Sequence, residues 1–335
     1  MFQQRQHTET LMPTRRLFAV SAALAALLST GVATMAHAAF PDRPIRLVVG
    51  YPPGGGTDVI ARLFATQLTE KLKQPVVIEN RAGAAGMIGS EFVANAPADG
   101  YTMIFTASDT HTINPHVYPK IRYDARRDFT PVGLAGFLTM ALVTNNSQPG
   151  NLKDFIAAAR AKPGSFNFAS WGIGSSSQVA MEAFLAASGM KMTHVPFQGA
   201  APALTAVLAS QVEAFMVPMT LAEPNFRAGK LKLIGVAAPQ RVPWAKDIPT
   251  LAEQGIDSDG SIWLGVLAPA KAPAEAINAV NKALNDVIAD PAVSANLYKN
   301  GFIARGGSVQ DFNTYLQREF ERMGKVIRDA GIKAD

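Results

Sequence analysis

Apolar residues along the chain fall into short β-branched runs that alternate with stretches of helical period. Residues 45–50 form the first run, and Val59, Ile60, Leu63, Phe64, Leu68 and Leu72 then recur at the 3.6-residue spacing of a helix over 58–73. A strand over 76–79, a helix over 87–95 and a strand over 103–106 follow. This β-α-β-α-β order predicts a parallel sheet with helices on its faces. After a long apolar stretch at 132–143 a second series begins. It runs strand 166–169, helix 176–187, strand 194–197, helix 201–209, strand 212–217, a short helix ending near 228, and strand 231–237. The run 262–268 reads as a return crossing, because the remainder (273–288, 292–299 and 309–330) is helical. A chain that leaves one α/β lobe, builds another and returns predicts two lobes around a cleft.

Ligand sites in open α/β sheets lie beyond the carboxyl ends of the strands, and three such corners carry special residues. Tyr51-Pro52-Pro53-Gly54-Gly55-Gly56-Thr57-Asp58 places three successive glycines before a helix that Thr57 or Asp58 can cap. Trp171-Gly172-Ile173-Gly174-Ser175-Ser176-Ser177 opens the helix carrying Val179, Ala180, Phe184 and Leu185. Phe197-Gln198-Gly199-Ala200-Ala201-Pro202 follows the next strand, and Pro202 suits a first helical position. Unpaired N–H groups in the first turn of a helix attract anions. Each such helix end favours an anion by roughly 0.3–1 kcal/mol when exposed and up to about 2 when partly buried. Closure would aim helix ends from both lobes at one point, with no arginine required. The plainer readings are a tight glycine turn, Asp58 as a helix cap and Ser175–Ser177 as a cap cluster. Trp171 reads as cleft wall or as interlobe packing, and Trp263 as core. Gly83-x-x-Gly86-x-x-Gly89 lacks the G-x-G spacing of a dinucleotide loop and reads as packing.

Residues 1–38 read as a signal peptide. Thr14-Arg15-Arg16-Leu17-Phe18 precedes an apolar run over 19–28, and small residues end in the cleavage-site pattern Ala36-His37-Ala38. The run is shorter than the roughly 20 residues of a membrane span. The twin arginine fits a Tat or a Sec route, and both export the protein. Without residues 1–38 the formal net charge of +5 falls to +3, because Arg5, Arg15, Arg16 and Glu9 leave. The remainder has no block of five Lys/Arg, which argues against nucleic-acid binding. There is no cysteine, so disulfides, thiolate metal sites and cysteine nucleophiles are excluded. The remaining length, about 300 residues, exceeds what one core usually fills.

Catalytic patterns are missing. His111, His116 and His194 lack H-E-x-x-H or H-x-x-E-H spacing, so no metal site is expected. Gly174-Ser175-Ser176-Ser177-Gln178 fails the G-x-S-x-G elbow at its last position. P-loop and EF-hand patterns are absent. No catalytic residue and no cofactor is expected. The helix over 309–330 carries Phe312, Leu316, Phe320, Met323 and Ile327, a period that fits packing on the first lobe.

Several motifs together carry a resemblance. They are Tyr51 to Asp58 as above, Val77-Ile78-Glu79-Asn80-Arg81-Ala82-Gly83-Ala84-Ala85-Gly86, and Ala98-Asp99-Gly100-Tyr101-Thr102. Further on come Val195-Pro196-Phe197-Gln198-Gly199-Ala200-Ala201-Pro202-Ala203-Leu204 and Asp247-Ile248-Pro249-Thr250-Leu251-Ala252-Glu253-Gln254-Gly255. In this order the chain resembles the Bug family, the extracytoplasmic solute receptors of the tripartite tricarboxylate transporter type. The resemblance covers essentially everything after residue 38. It implies a type II periplasmic-binding-protein fold, two α/β lobes joined by crossing strands. Residues 39–139 plus 265–335 would form lobe 1, and 140–264 lobe 2. It also implies a periplasmic monomer that captures a small organic carboxylate and hands it to membrane permease subunits. Matched motif by motif, the ligand-binding residues would be Tyr51, Gly54, Gly55, Thr57 and Asp58, then Ser108 and Thr110 after the third strand. The second lobe would add Ser170, Gly174, Ser175, Ser176, Phe197, Gly199, Ala200 and Ala201. The chain departs from the family pattern at Gln178, where a histidine is frequent, and at Phe197-Gln198, which replaces Tyr-Lys. A third departure is Ala209-Ser210-Gln211-Val212-Glu213, in place of a Gly-Gly-x-Val-Asp turn. Phe197, Met219 and Trp171 would select the ligand's tail and favour an apolar or aromatic body. Two alternatives are a ligand sensor for a membrane signalling partner, and an exported hydrolase of a small carboxylic ester acting through Ser175 or Ser176.

Overall fold

A computed structural model describes Met1 and residues 40–334 other than 239, 243, 244 and 257–259. The signal-peptide reading of residues 1–38 therefore lies, Met1 apart, outside the described residues. Phe40–Asp335 form one unit by their contacts. Its first sheet contains β1 (Ile45–Val49), β2 (Val76–Asn80), β3 (Thr102–Ala107), β4 (Phe129–Leu138), β10 (Ile262–Pro269) and β11 (Phe302–Ala304). Their spatial order is β11-β4-β10-β3-β1-β2. The second sheet contains β5 (Met140–Thr144), β6 (Asn167–Ser170), β7 (Thr193–Pro196), β8 (Ala214–Pro218) and β9 (Lys232–Ala237), ordered β7-β6-β8-β5-β9. The predicted parallel pairing holds for β1 with β2 and β3, and for β6 with β7 and β8. Antiparallel strands complete each sheet: β10 runs against β3 and β4, and β5 against β8 and β9.

The apolar stretch at 132–143 is two strands rather than one. Only Thr139 separates β4 in the first sheet from β5 in the second. The chain returns after β9, and β10 pairs Ile262 with Leu138 and lies wholly in the first sheet.

The helices are α1 (Gly56–Leu72), α2 (Met87–Ala94), α3 (Asn114–Val117), α4 (Leu152–Ala161), α5 (Ser176–Ser188), α6 (Ala200–Leu208) and α7 (Met219–Arg227). After them come α8 (Ala274–Ile288), α9 (Pro291–Lys299) and α10 (Val309–Asp329). Ile60, Phe64 and Leu68 of α1 are buried at the period read from the sequence. Phe64 lies 5.8 Å from Phe105 and 5.9 Å from Phe302, centroid to centroid. Burying each such side chain stabilises the fold by roughly 1.5–3 kcal/mol. Trp263 is fully buried core, donating its indole N–H to Thr112 Oγ1 at 3.2 Å. Helix α10 starts on a reciprocal Ser308–Asp311 capping box. It packs Phe312 beside Trp263, while Met323 and Ile327 join Ile113, Val117 and, from α5, Val179. So α10 reaches beyond the first sheet to a helix of the second. Among the described residues, no helix is long and apolar enough to cross a membrane.

Candidate ligand-binding cleft

Loops at the carboxyl ends of strands from both sheets enclose a cleft of about 380 Å³. After β1 the chain runs Gly50-Tyr51-Pro52-Pro53-Gly54-Gly55 into α1, and all six of these residues line the cleft. Opposite them, Gln198, Gly199, Ala200 and Ala201 bring in the start of α6. Gly83 to Gly86, before α2, and Pro218, before α7, complete the set of helix starts. A larger hollow of about 510 Å³, lined by Leu152, Ile156, Arg160 and Gln254, contains none of these corners.

The helix starts at the cleft share one property, no side-chain cap, which α3 and α8 (N-caps Ile113 and Pro273) also show away from it. The N-caps of α1, α2, α6 and α7 are Gly55, Gly86, Gly199 and Pro218; none supplies a side-chain hydrogen bond, and all four line the cleft. In α4, α5, α9 and α10 the N-cap side chains of Asn151, Ser175, Asp290 and Ser308 accept a first-turn N–H, and none of these lines it. Met87 N–H bonds Ala84 O and Met219 N–H bonds Thr139 O. That leaves α1 and α6 the more open pair. Their first-turn N–H groups have no acceptor within the helix, so they are the anion-attracting ends of the cleft.

The α1 corner is held from behind. Asp58 is 2% exposed and accepts from Gly54 N–H at 2.9 Å, Arg62 Nε at 2.9 Å and Asn80 Nδ2 at 2.7 Å. Asn80 Nδ2 also reaches Tyr51 O at 3.1 Å. Burial pushes the Asp58 carboxyl up, but the bonds from Arg62, Asn80 and Gly54 outweigh it and hold the pKa below the usual carboxylate range. Asp58 therefore anchors the glycine turn. The N-cap itself is Gly55, two residues before Thr57 and three before Asp58. Pro202 likewise stands third in α6, still within the first turn where its missing N–H costs no helical bond.

The α5 corner is filled. Asp109, carried by a π-turn (Asp109–Ile113) after β3, accepts from Ser176 N–H at 2.8 Å, Ser176 Oγ at 2.9 Å and Trp171 Nε1 at 3.3 Å. Burial raises the Asp109 pKa, and the Ser176 and Trp171 bonds work against that rise. Ser175 caps the helix and donates to Gly172 O at 2.7 Å, and Gly174 N–H bonds Gln178 Oε1 at 2.8 Å.

Comparison with known proteins decides the family. A model of the tripartite tricarboxylate transporter family receptor (TctC) matches residues 60–332. The chain belongs to this receptor family. It is 32% identical over 311 residues to the protein BugT of Bordetella pertussis, spanning 92% of this chain and 95% of that one. Among solved structures, an R. palustris protein with adipate aligns at a TM-score of 0.84 with 32% identity, covering 88% of this chain and 99% of its own. MatC from Rhodopseudomonas palustris with bound malate aligns at 0.78 with 30% identity, covering 86% and 100%. The Bug-type resemblance and the type II periplasmic-binding-protein fold read from the sequence both hold. Members of the TctC family are solute-binding receptors.

Of the TctC-type ligand residues expected from the sequence, the structure brings Tyr51, Gly54, Gly55, Thr57, Gly199, Ala200 and Ala201 to the cleft wall. Asp58, Ser108, Thr110, Ser170, Gly174, Ser175, Ser176 and Phe197 do not line it. Thr110 Oγ1 lies 2.6 Å from Thr106 Oγ1 and 2.7 Å from His111 Nδ1, away from the opening. Ser108 is buried where the π-turn begins. Ser170 Oγ meets His194 Nε2 at 2.6 Å in a pair whose serine is fully buried. Phe197 packs on the core of the second sheet while its neighbour Gln198 faces the cleft. The wall also includes residues the sequence did not single out as ligand contacts: Asp109, Gln198, Leu138, Leu221, Ile262 and the Gly83–Gly86 turn. That turn is also the packing element expected, since a Cβ on Gly86 would lie 2.6 Å from Thr110 Cγ2. Trp171 is both wall and packing, 6.0 Å from Phe215.

Proposed function

We propose that this receptor captures a small organic carboxylate in the cleft of about 380 Å³ and delivers it to the permease subunits of a tripartite tricarboxylate-type transporter. It works in the periplasm as a monomer, after removal of residues 1–38. Its lobes, 39–139 with the chain from β10 onward and the stretch between them, close on the ligand; the expected boundary at 264/265 moves to the start of β10 at Ile262.

One observation carries this reading. The four helix starts that line the cleft, those of α1, α2, α6 and α7, all lack a side-chain cap, and among the described residues no self-capped helix start lines it. N–H groups of Gly56, Thr57, Ala200 and Ala201 then serve as the anion site. Tyr51, Gly54, Gly55 and Gly199 shape it. Asp58, Ser108, Thr110, Ser170, Gly174, Ser175, Ser176 and Phe197 hold the corners from behind. The relatives solved with adipate and malate support a carboxylate as the ligand. Hydrogen bonds to a charged group contribute roughly 1.5–3 kcal/mol each. A few of them, with two helix ends, reach micromolar binding, about −8 kcal/mol, after association costs.

A thermal-unfolding panel of small carboxylates tests this, followed by mass spectrometry of the recovered ligand. A true ligand at a hundredfold excess over Kd stabilises by about 2.7 kcal/mol and is recovered intact. A panel without a shift, or recovery of a converted product, overturns the reading.

A further inference from the structure

We propose that Asp109 makes the cleft selective for a ligand with one carboxylate and, at its other end, a hydrogen-bond donor instead of a second anion. The inference rests on the reading of the cleft as a carboxylate site and goes on to name which carboxylates it takes.

Among the described residues that line the cleft, Asp109 is the one Asp, Glu, Lys, Arg or His. No lysine, arginine or histidine faces it there. Three donors fix its role as acceptor: Ser176 N–H and Trp171 Nε1 on Oδ1, and Ser176 Oγ on Oδ2. The start of α5 favours an anion, and the one it holds is this internal carboxylate. One helix end that could grip a ligand's second carboxylate is thus occupied by the protein itself. Each carboxylate oxygen has two lone-pair directions. Of donors on other residues, Oδ2 receives the Ser176 hydroxyl alone, so a donor entering from the cleft can add a hydrogen bond there.

A second ligand anion would share this space with Asp109, near apolar walls at Leu138, Pro218, Leu221 and Ile262 and with no cation to offset it. Like charges a few ångströms apart in such surroundings repel strongly. An amide, hydroxyl or ammonium in the same place completes the Asp109 hydrogen bonds. The relatives above hold adipate and malate, both dicarboxylates, so the proposal separates this chain from them.

Calorimetric titration at pH 8 tests it with two matched series. One comprises adipate, its monoamide adipamate and 6-aminohexanoate; the other comprises terephthalate and 4-carbamoylbenzoate. In any series that binds, the dicarboxylate is expected to be weaker than its monoamide by about tenfold or more. In Asp109→Asn the two should come within about threefold of each other. The wild-type ratio tests the proposal even if that variant fails to fold. A dicarboxylate that binds wild type as tightly as its monoamide overturns the selectivity and leaves the carboxylate reading standing. Binding of no carboxylate in this or a wider panel overturns both.

Discussion

His111 shows how much one buried side chain links this fold to pH. Its ring lies edge-on to Phe129 at 4.5 Å, its Nδ1 pairs with Thr110 Oγ1, and its Nε2 has no hydrogen-bond partner among the described residues. Burial pushes its pKa from 6.5 down to about 3. The folded protein therefore refuses a proton that the unfolded chain takes up once the pH falls below about 6.5. Stability is complete above that pH and declines towards pH 3, by at most about 5 kcal/mol if the full difference is expressed. Burial lowers His194 in the same direction, to about 4. Comparing wild type with His111→Gln isolates the first group. Urea midpoints from pH 8 to pH 4 should fall more steeply in wild type, and parallel slopes would exclude His111 as the source. At this scale the sequence located the site better than it chose side chains. The family resemblance led to Ser108 and Thr110 after the third strand and stepped over Asp109 between them. The chain there winds as a π-turn, wider than an α-helix, so side-chain directions do not follow the α-helical period.

Among elements, the decisive property is a missing one: a side-chain cap at the starts of α1 and α6. Sequence rules favour Ser, Thr, Asp or Asn as caps, which is why Thr57 and Asp58 are natural choices on paper. The glycines let α1 begin before both, and Gly199 takes a φ of 116°, a conformation that admits few other residues. Gly55 is different. Its φ of −72° and ψ of 161° suit any residue, so a carboxylate can be installed there without backbone strain. Gly55→Asp should cap α1 and leave stability unchanged or raised by about a few tenths of a kcal/mol. Its own charge then occupies the anion site, so carboxylate affinity should drop by about tenfold or more. A thermal melt read beside a calorimetric titration checks the pair of effects. If affinity and stability fall together, the change has damaged the loop and says nothing for the anion site. Other elements were hidden for physical reasons. β4 and β5 are largely buried strands whose apolar residues run on without alternation, so the switch of sheet at Thr139 leaves no mark in the pattern. Helix α4 was not among the expected elements although its signals are present: Asn151 caps it, and Leu152, Phe155, Ile156 and Ala159 keep the helical period.

Taken whole, the molecule joins its two sheets by more than the crossings at Thr139 and after β9. Asp109 reaches Ser176 and Trp171, Tyr118 Oη donates to Ile173 O at 2.7 Å, and Val117, Val179, Met323 and Ile327 form one apolar cluster. That seam lies along α5, whose start Asp109 fills. The two-lobe order was readable from the alternation of strands and helices. The seam was not, because its residues are 62 to 67 positions apart in the Asp109 bonds and further still between Val117 and Ile327. Helical period pointed Met323 and Ile327 to the first lobe alone, whereas they also meet Val179 of α5. The seam makes a claim about cooperativity. If it couples the sheets, removing one of its large side chains destabilises both at once instead of loosening α10 alone. Ile327 is 1% exposed, and Ile327→Ala should cost about 2–5 kcal/mol. Far-UV dichroism and tryptophan emission, to which Trp171 beside the seam, Trp263 in the first sheet's core and Trp244 contribute, should then move together to a lower urea midpoint with the slope unchanged. Separate transitions, or a fall confined to one probe, would mean that the sheets unfold independently and that the seam contributes little to holding them.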